Sequence, residues 1–447
     1  MKNIILAMML FIAYTTTAQT LGYNDIGVLF TNQQINGTAR YNAMSGAFGA
    51  LGGDISSMDI NPAGAAIFIF SEFGLSLSTN ELMTTSSFYD GTSIHENNHG
   101  NLNQAGGVFV FNNYGANRNG WGKVAVGFNY SIANDFENFW SVSGNSNYPT
   151  WIEDPNDNTI LYMNSDGQYF ESTTTGRNNK YTFSVASQYN DNLYFGASLH
   201  TYDIDFYQQI FLEEYNYNQS NEVLEASLLQ ELITYGDGIS FNFGLISIPS
   251  ENVRFGLAYQ SPVWYTLAED YIDYDLEVYL SNTDELISDF SGTNFFDYKL
   301  RTPSKLTGSF GYIFDKFGLI SVDYSYKNYS NIQLSGANFS DENQQFSNDL
   351  ESTGELRIGT EWRFNNLSIR GGYHTEKNPY KNSLDTDDLT GYSLGAGLKF
   401  RGLKIDASYQ NSNQTAPYNF YPQYSEVNSA ELDYDNSRYT LTLTLNI

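Results

Sequence analysis

The sequence predicts an all-β fold, a transmembrane antiparallel β-barrel of about 14 strands with an N-terminal hatch (plug) inside its lumen. Three observations carry that expectation. Segment after segment alternates apolar and polar residues with a period of two. The joints between these segments alternate between short and long. The 447 residues hold 36 Tyr, 31 Phe, 5 Trp and 38 Gly, yet mean hydropathy is only -0.39 and no run approaches the ~20 apolar residues of a spanning helix.

The chain opens with Lys2, an apolar run from Ile4 to Tyr14 and the small residues Thr16-Thr17-Ala18. That is the layout of a secretory signal cleaved near Ala18, leaving Gln19 first in the mature chain. Domains are expected at 1-18 (signal peptide), 19-64 (hatch) and 65-447 (barrel). The last nine residues, Tyr439 to Ile447, still alternate, which suits a closed barrel whose final strand pairs with its first.

Within 253–259, Val253, Phe255, Leu257 and Tyr259 share a face opposite Arg254, Gly256 and Ala258. Ile320, Val322, Tyr324 and Tyr326 likewise oppose Ser321, Asp323, Ser325 and Lys327, and Leu356, Ile358 and Trp362 oppose Arg357, Gly359, Glu361 and Arg363. Similar segments lie near 65-82, 104-113, 120-133, 178-190, 193-209, 238-248, 298-314, 367-375, 389-401, 403-410 and 436-447. An apolar face almost free of charge is what lipid requires, and the opposite face would line a lumen.

Tight joints at Asn190 to Asn192, Pro249 to Asn252, Asp315 to Phe317, Asn365 to Asn366 and Arg401 to Gly402 alternate with long polar stretches at 83-103, 134-177, 210-237, 265-297, 328-354, 376-388 and 411-435. Outer-membrane barrels sort their joints in this way, with short periplasmic turns and long loops outside; a soluble sandwich has no reason to.

About 14 strands enclose more space than their own side chains fill. Residues 19-64 do not read as strands and carry an apolar cluster, Ile26, Val28, Leu29 and Phe30, with Phe48 farther on. The glycines at 46, 49, 52 and 53 follow no strand and miss the dinucleotide-loop spacing. A compact plug inside the barrel accounts for the segment.

The run ARYNAMSGAFGALGGDISSMDINPAGAA resembles the hatch of FadL-type outer-membrane transporters of long-chain fatty acids and aromatic hydrocarbons, and Asn61, Pro62 and Ala63 match that hatch's Asn-Pro-Ala motif. The segment 236-262 is similar to that family's paired strands ending in an arginine strand and a Ser-Pro, and RTPSKLTGSFGYIF at 301-314 is a weaker match. Ile447 departs from the aromatic residue common at barrel ends, and the long loops match nothing in the family. The resemblance implies uptake of hydrophobic molecules, long-chain fatty acids or similar, by passive diffusion. A ligand would adsorb to the outer loops, enter an apolar pocket above the plug, and leave through a sideways gap made by a kink in the third strand. The corresponding stretch runs from Phe128 to Asp135, with Asn134 inside it, where the alternation breaks after Tyr130.

Composition excludes other classes. A net charge of -29 argues against nucleic acid as a partner. The lack of cysteine excludes disulfides, zinc-thiolate sites, cysteine nucleophiles and a lipidated N-terminus. The histidines are His95 and His99, read as one polar loop where a metal or haem contact is conceivable but solvation is the plainer reading, and His200 and His374, read as facing the lumen. No catalytic set can be assembled, so no enzyme, cofactor or metal is expected. The stretch 265-297 holds nine carboxylates and no Lys or Arg; it reads as a solvated anionic loop, although such crowding could bind Ca²⁺. Its interleaved Tyr271, Tyr274 and Leu276 would suit a landing site for a hydrophobic ligand. The expected partners are that ligand and outer-membrane lipid, with no oligomer. The rival functions are a surface receptor or adhesin acting through its loops, and a general porin, which needs an open lumen.

Overall fold

The computed structural model describes residues 22–112 and 120–447; the signal peptide expected at 1-18 and the cleavage near Ala18 lie outside the described residues. The chain forms a closed antiparallel barrel of 14 strands. In chain order these are β1 (Glu72–Phe88), β2 (Gly91–Asn112), β3 (Trp121–Asp135 continued by Asn138–Gly144), β4 (Asn164–Tyr189), β5 (Leu193–Tyr217), β6 (Val223–Ser247), β7 (Val253–Gln260 continued by Trp264–Leu280), β8 (Thr293–Arg301 continued by Lys305–Phe314), β9 (Gly318–Asn328 continued by Gln333–Ser335), β10 (Ser352–Phe364), β11 (Leu367–Glu376), β12 (Leu389–Phe400), β13 (Leu403–Tyr418) and β14 (Ala430–Asn446). A short extra strand, Glu285–Phe290, folds back on the upper half of β7. Closure is made by β1 and β14, paired from Glu72↔Asn446 to Ser87↔Glu431.

Around the lower barrel the expected faces hold. Leu75, Leu77, Phe255, Leu257, Ile358, Leu441 and Leu443 stand exposed on the outside, while Ser321, Asp323, Arg357, Glu361 and Thr442 are buried inside. A tyrosine belt marks the upper edge of this apolar band: Tyr392, Tyr409 and Tyr439 sit side by side on β12, β13 and β14, with ring centroids 6.1 and 5.1 Å apart. The tight joints fall where expected, and Asn190, Asp191, Asn365 and Gly402 take the positive φ that such hairpin turns require.

The strands run far beyond the band. β4, β5 and β6 are 26, 25 and 25 residues long, against the 9–11 or so that cross a bilayer. The stretches 83-103 and 210-237, apart from the hairpin turns at 89–90 and 218–222, and most of 265-297, expected as loops, are therefore strand. His95 and His99 lie on β2, and Tyr271, Tyr274 and Leu276 on β7. The pattern hides this because the apolar face changes sides along the strand. Phe195 on β5 and Phe241 and Phe243 on β6 face outward in the band, whereas higher up Phe206, Ile210, Leu212, Leu228 and Leu232 face inward and are buried. Lipid wants the outside apolar; above it, water outside and a packed interior want the reverse.

Four strands break. Phe136-Glu137 interrupts β3 and a turn at Tyr329–Asn331 interrupts β9. Prolines 262 and 303 interrupt the neighbouring strands β7 and β8, where each removes a ladder donor.

The hatch fills the lower lumen with α1 (Tyr23–Thr31), α2 (Ala39–Asn42) and two 3₁₀ turns, Ile55–Asp59 and Pro62–Ile67. Side-chain caps start the last three: Thr38 accepts from Tyr41 N, Asp54 from Ser56 N, and Asn61 from Ala63 N. Because the final turn continues to Ile67, the hatch passes Gly64 and the first strand begins at Glu72 rather than near 65. Among the described residues no helix is long and apolar enough to cross a membrane.

Candidate functional site: a cavity above the hatch and a seam beside it

The hatch is tied to the barrel wall on many sides. Arg40 of α2 pairs with Glu361 of β10 at 2.7 Å; Glu361 also holds Arg370 at 2.7 Å, and Arg370 holds Asp406 at 2.6 Å. Gly49 N donates to Asp323 at 2.8 Å, Ala39 N to Thr442 Oγ1 at 2.7 Å, and Arg254 to Leu51 O at 2.7 Å. On the opposite wall Asp59 accepts from Thr182 at 2.6 Å and pairs with Lys180 at 3.3 Å. Arg40, Glu361, Arg370, Asp406, Asp59 and Lys180 are satisfied in pairs and chains, the condition under which burial is tolerated, whereas Asp323 and Arg254 meet the hatch through its main chain.

Main chain also meets main chain. A Cβ on Gly256 of β7 would lie 2.2 Å from Gly49 O, and one on Gly196 of β5 2.4 Å from Ala63 N. Only glycine lets the hatch approach the wall this closely.

Above the hatch lies a cavity of about 440 Å³, within the usual range for a small-molecule site. Val28 and Leu29 of α1 form part of its floor, Phe136 and Trp140 of β3 one side, Phe206 of β5 and Tyr434 of β14 others. Arg438 of β14 projects into it from the wall.

Beside the cavity the wall is incomplete. β2 and β3 are laddered only from Gln104↔Ser131 down to Asn112↔Lys123. After a register shift between Ile132 and Asn134 and the break at Phe136-Glu137, the upper half of β3 pairs with β4 alone, and residues 91–103 of β2 pair with β1 alone. Among the described residues no backbone ladder joins these two edges. Side chains bridge them instead. Asp135 accepts from Asn101 at 2.7 Å and meets His99 Nε2 at 2.8 Å. Asn97 donates to Asn138 Oδ1 at 3.2 Å, and His95 Nε2 meets Ser141 Oγ at 3.0 Å. Both histidines thus face the kinked strand from β2, four residues apart on one face; they are not part of a solvated loop. The seam starts at the level of the tyrosine belt, since Thr79 of β1 is paired both with Tyr439 and with Gly100.

The outer mouth is capped. Residues 145–163 and 419–429 fold over it, with Trp151, Tyr162, Phe420 and Val427 packed against Phe170, Leu212 and Leu224 of the upper strands. Buried Glu214 of β5 holds both segments, accepting from Thr150 N at 2.6 Å, Trp151 N at 3.1 Å and Tyr421 OH at 2.7 Å. Burial and the Glu214 carboxylate push the Tyr421 hydroxyl well above its ordinary range, so it stays a donor. Tyr380, in the joint between β11 and β12, bonds Asp25 of α1; burial and that carboxylate raise it likewise.

The residues singled out from sequence separate here. Val28 and Leu29 line the cavity. Ile26 and Phe30 do not line it; Phe30 packs behind its wall, 5.8 Å from both Phe136 and Phe206. Phe48 is sealed within the hatch, stacked on Tyr41 at 5.6 Å with the Arg40 guanidinium 5.0 Å from its ring. Tyr271, Tyr274 and Leu276 pack on the upper core and do not line the cavity. Phe128 is outside the kink: it faces outward, regularly paired with Gly107 and Phe183. Asn134 and Asp135 are at the kink, and Asn134 Nδ2 donates to Leu29 O at 2.8 Å, joining it to the hatch. Asn61 caps the last hatch turn and donates to Gly49 O at 2.7 Å and Leu245 O at 3.1 Å. Sequence reasoning missed Arg438, Glu214 and the seam. The readable signal for the hatch contacts was glycine at inward positions of strand interiors, Gly196, Gly244 and Gly256.

An apolar-belted closed barrel with a filled lumen, a cavity above the filling and a gap in the adjoining wall defines a plugged membrane-embedded β-barrel. Solved structures of FadL-type channels share that fold. A Pseudomonas aeruginosa FadL homologue is 15% identical and aligns over 93% of this chain and 99% of its own with a TM-score of 0.60. The P. putida toluene transporter TodX is 12% identical over 93% and 99%, TM-score 0.56, and the CymD monoaromatic hydrocarbon channel 14% identical over 93% and 98%, TM-score 0.54. At such identities the likeness is one of fold. No protein-family model and no curated protein matches the sequence.

Proposed function

We propose that this protein is an outer-membrane channel that takes up hydrophobic small molecules by passive diffusion, the ligand passing between the cavity and the membrane through the seam between β2 and β3. The observation that carries this reading is the position of the seam. It opens beside the cavity, at the upper edge of the apolar band, while the hatch blocks the direct axial path. An apolar molecule moving sideways never crosses water, whereas the filled lumen suits a general porin poorly. The FadL-type fold supports the same reading, since relatives of that fold include a toluene transporter and a monoaromatic hydrocarbon channel. The channel acts as a monomer, has no chemistry of its own, and matures by cleavage near Ala18. The test is uptake of labelled oleate and labelled toluene by Gram-negative cells lacking their own transporters, with and without this protein. Uptake of neither above the empty-vector control, with the barrel present in the outer membrane, overturns the reading.

A further inference from the structure

On the outer face of the wall, Lys299 and Arg301 of β8 stand exposed on one side of the strand, two residues or about 6.6 Å apart. Neither makes a side-chain hydrogen bond or an ion pair. Among the described residues the other exposed lysines and arginines of which this is true, Lys316, Lys399 and Arg401, sit at the tight turns. Arg363, in contrast, pairs with Glu361, Lys377 pairs with Glu351, and Lys381 donates to Ser347 O.

The ladder fixes their neighbours. Lys299 has Thr266 of β7 on one side and Ser335 of β9 on the other, and Arg301 has Trp264 and Gln333. Directly paired residues share a face of the sheet, and all four neighbours are exposed. The six side chains form a patch of two cations, two hydroxyls, an amide and an indole, with no carboxylate in it. The wall around the patch is the reverse: residues 193–297 hold 18 Asp or Glu and one Lys or Arg, Arg254. Asp237 of β6 is paired with Thr266 and Asp203 of β5 with Asp237, both exposed, and Asp297 lies two residues above Lys299 on the same face.

The depth of the patch indicates what faces it. Trp264 is 43% exposed, its ring 6.5 Å from that of Phe241 in the apolar band. Below the break at Pro303, β8 resumes an apolar outer face at Leu306, flanked by Tyr259 and Tyr326. Cations beside a tryptophan at the edge of such a band lie at the level of lipid headgroups. Arginine offers a phosphate two parallel N–H groups and lysine a compact charge.

We propose that Lys299 and Arg301, with the hydroxyls of Thr266 and Ser335, bind the phosphate of an outer-leaflet lipid whose acyl chains run down past Trp264 and Leu306. The site is on the outside of the barrel, apart from the cavity and the seam. It rests on the barrel lying in a membrane and not on what the channel carries. An otherwise acidic outer wall thereby gains one point of attachment to an anionic leaflet.

The test uses protein carrying Trp121→Phe and Trp362→Phe, which leaves Trp264 as the exposed tryptophan. It is reconstituted in phosphatidylcholine vesicles doped with brominated phosphatidate or, separately, brominated phosphatidylcholine. Quenching of Trp264 by the two lipids gives their relative affinity. Phosphatidate should bind about tenfold more tightly, from two cations each worth several-fold at an anionic surface, less the repulsion of Asp297. Lys299→Gln combined with Arg301→Gln should bring the ratio to about one, and each single change to an intermediate value. Lys316→Gln combined with Arg401→Gln, at the tight turns, should leave it unchanged. A ratio near one in the intact protein, an unchanged ratio in the heat-modifiable double variant, or an equal loss in the tight-turn variant overturns the proposal. Millimolar inorganic phosphate at matched ionic strength should leave the preference in place; its loss would make the patch a site for soluble phosphate and overturn the lipid assignment. Failure of the intact protein to enter vesicles as a heat-modifiable barrel would instead remove the membrane reading.

Discussion

Gly244 and Asn61 touch: a Cβ built on Gly244 of β6 would stand 1.9 Å from Asn61 Oδ1. The same amide caps the last hatch turn through Ala63 N, and its nitrogen reaches the neighbouring carbonyl, Leu245 O, at 3.1 Å. The motif read as Asn-Pro-Ala is thus a fastening between hatch and wall, with a glycine as its seat.

Gly244→Val should push the hatch exit off β6 while leaving the strand able to form. Asn61→Ala should do so more gently, since it removes bonds worth about 1–3 kcal/mol when their partners stay buried. Both variants should assemble as heat-modifiable barrels, with labelled fatty-acid uptake reduced in Asn61→Ala and raised ion conductance in Gly244→Val. Wild-type uptake and conductance in both would mean that this contact does not hold the hatch.

Leu443→Arg should lower folding yield, because it puts a charge toward lipid at a cost of about 2–4 kcal/mol near the midplane. Thr442, its inward neighbour, is not in open lumen: its hydroxyl accepts from Ala39 N at 2.7 Å and meets Ser76 Oγ at 2.8 Å. Thr442→Arg should therefore form a barrel and dislodge the hatch, seen as new single-channel current. Equal yields for the two variants would show that the faces are assigned wrongly.

The seam is held by side chains, so locking it should stop lateral passage. With no native cysteine, Asn97→Cys combined with Asn138→Cys offers one pair across it. A short bis-thiosulfonate cross-link should abolish hydrophobic-ligand uptake, and reducing agent should restore it. If cross-linked protein transports at the uncross-linked rate, ligand leaves by another path.

Glu214→Ala should free the outer cap. Two main-chain amides and Tyr421 lose their common acceptor, at about 1–3 kcal/mol for each donor left buried. Limited proteolysis should then cut within 145–163 or 419–429 while the barrel stays heat-modifiable. A cleavage pattern identical to wild type would leave Glu214 without a role in holding the cap.

Removing the hatch should test the filled lumen directly. Deletion of Gln19 to Phe30 is expected to leave a folded barrel with altered uptake, and deletion through Ile67 to give a conducting pore, since about 14 strands do not fill their own interior. A silent pore after the longer deletion would show that something other than the hatch closes it.

Sequence alone determined the closed barrel, its inward and outward faces in the membrane, the gathering of the tight turns at one end, and the presence of a hatch carrying Asn61-Pro62-Ala63, although not where that hatch stops. Lipid imposes these locally: every residue in the band must obey a period of two, so each strand reports its own orientation. The upper strands were hidden by the same rule, because the apolar face crosses from Phe195 outside to Phe206 inside, and a change of phase reads as an interruption. Only the tertiary structure decided the cavity, the seam and the polar cluster around Arg438. These depend on Gln34, Asn80, His99, Asp135 and Gln410 meeting around one point from the hatch and four different strands. No periodicity relates such residues, and which groups surround a buried charge is a property of the whole enclosure rather than of any strand in it.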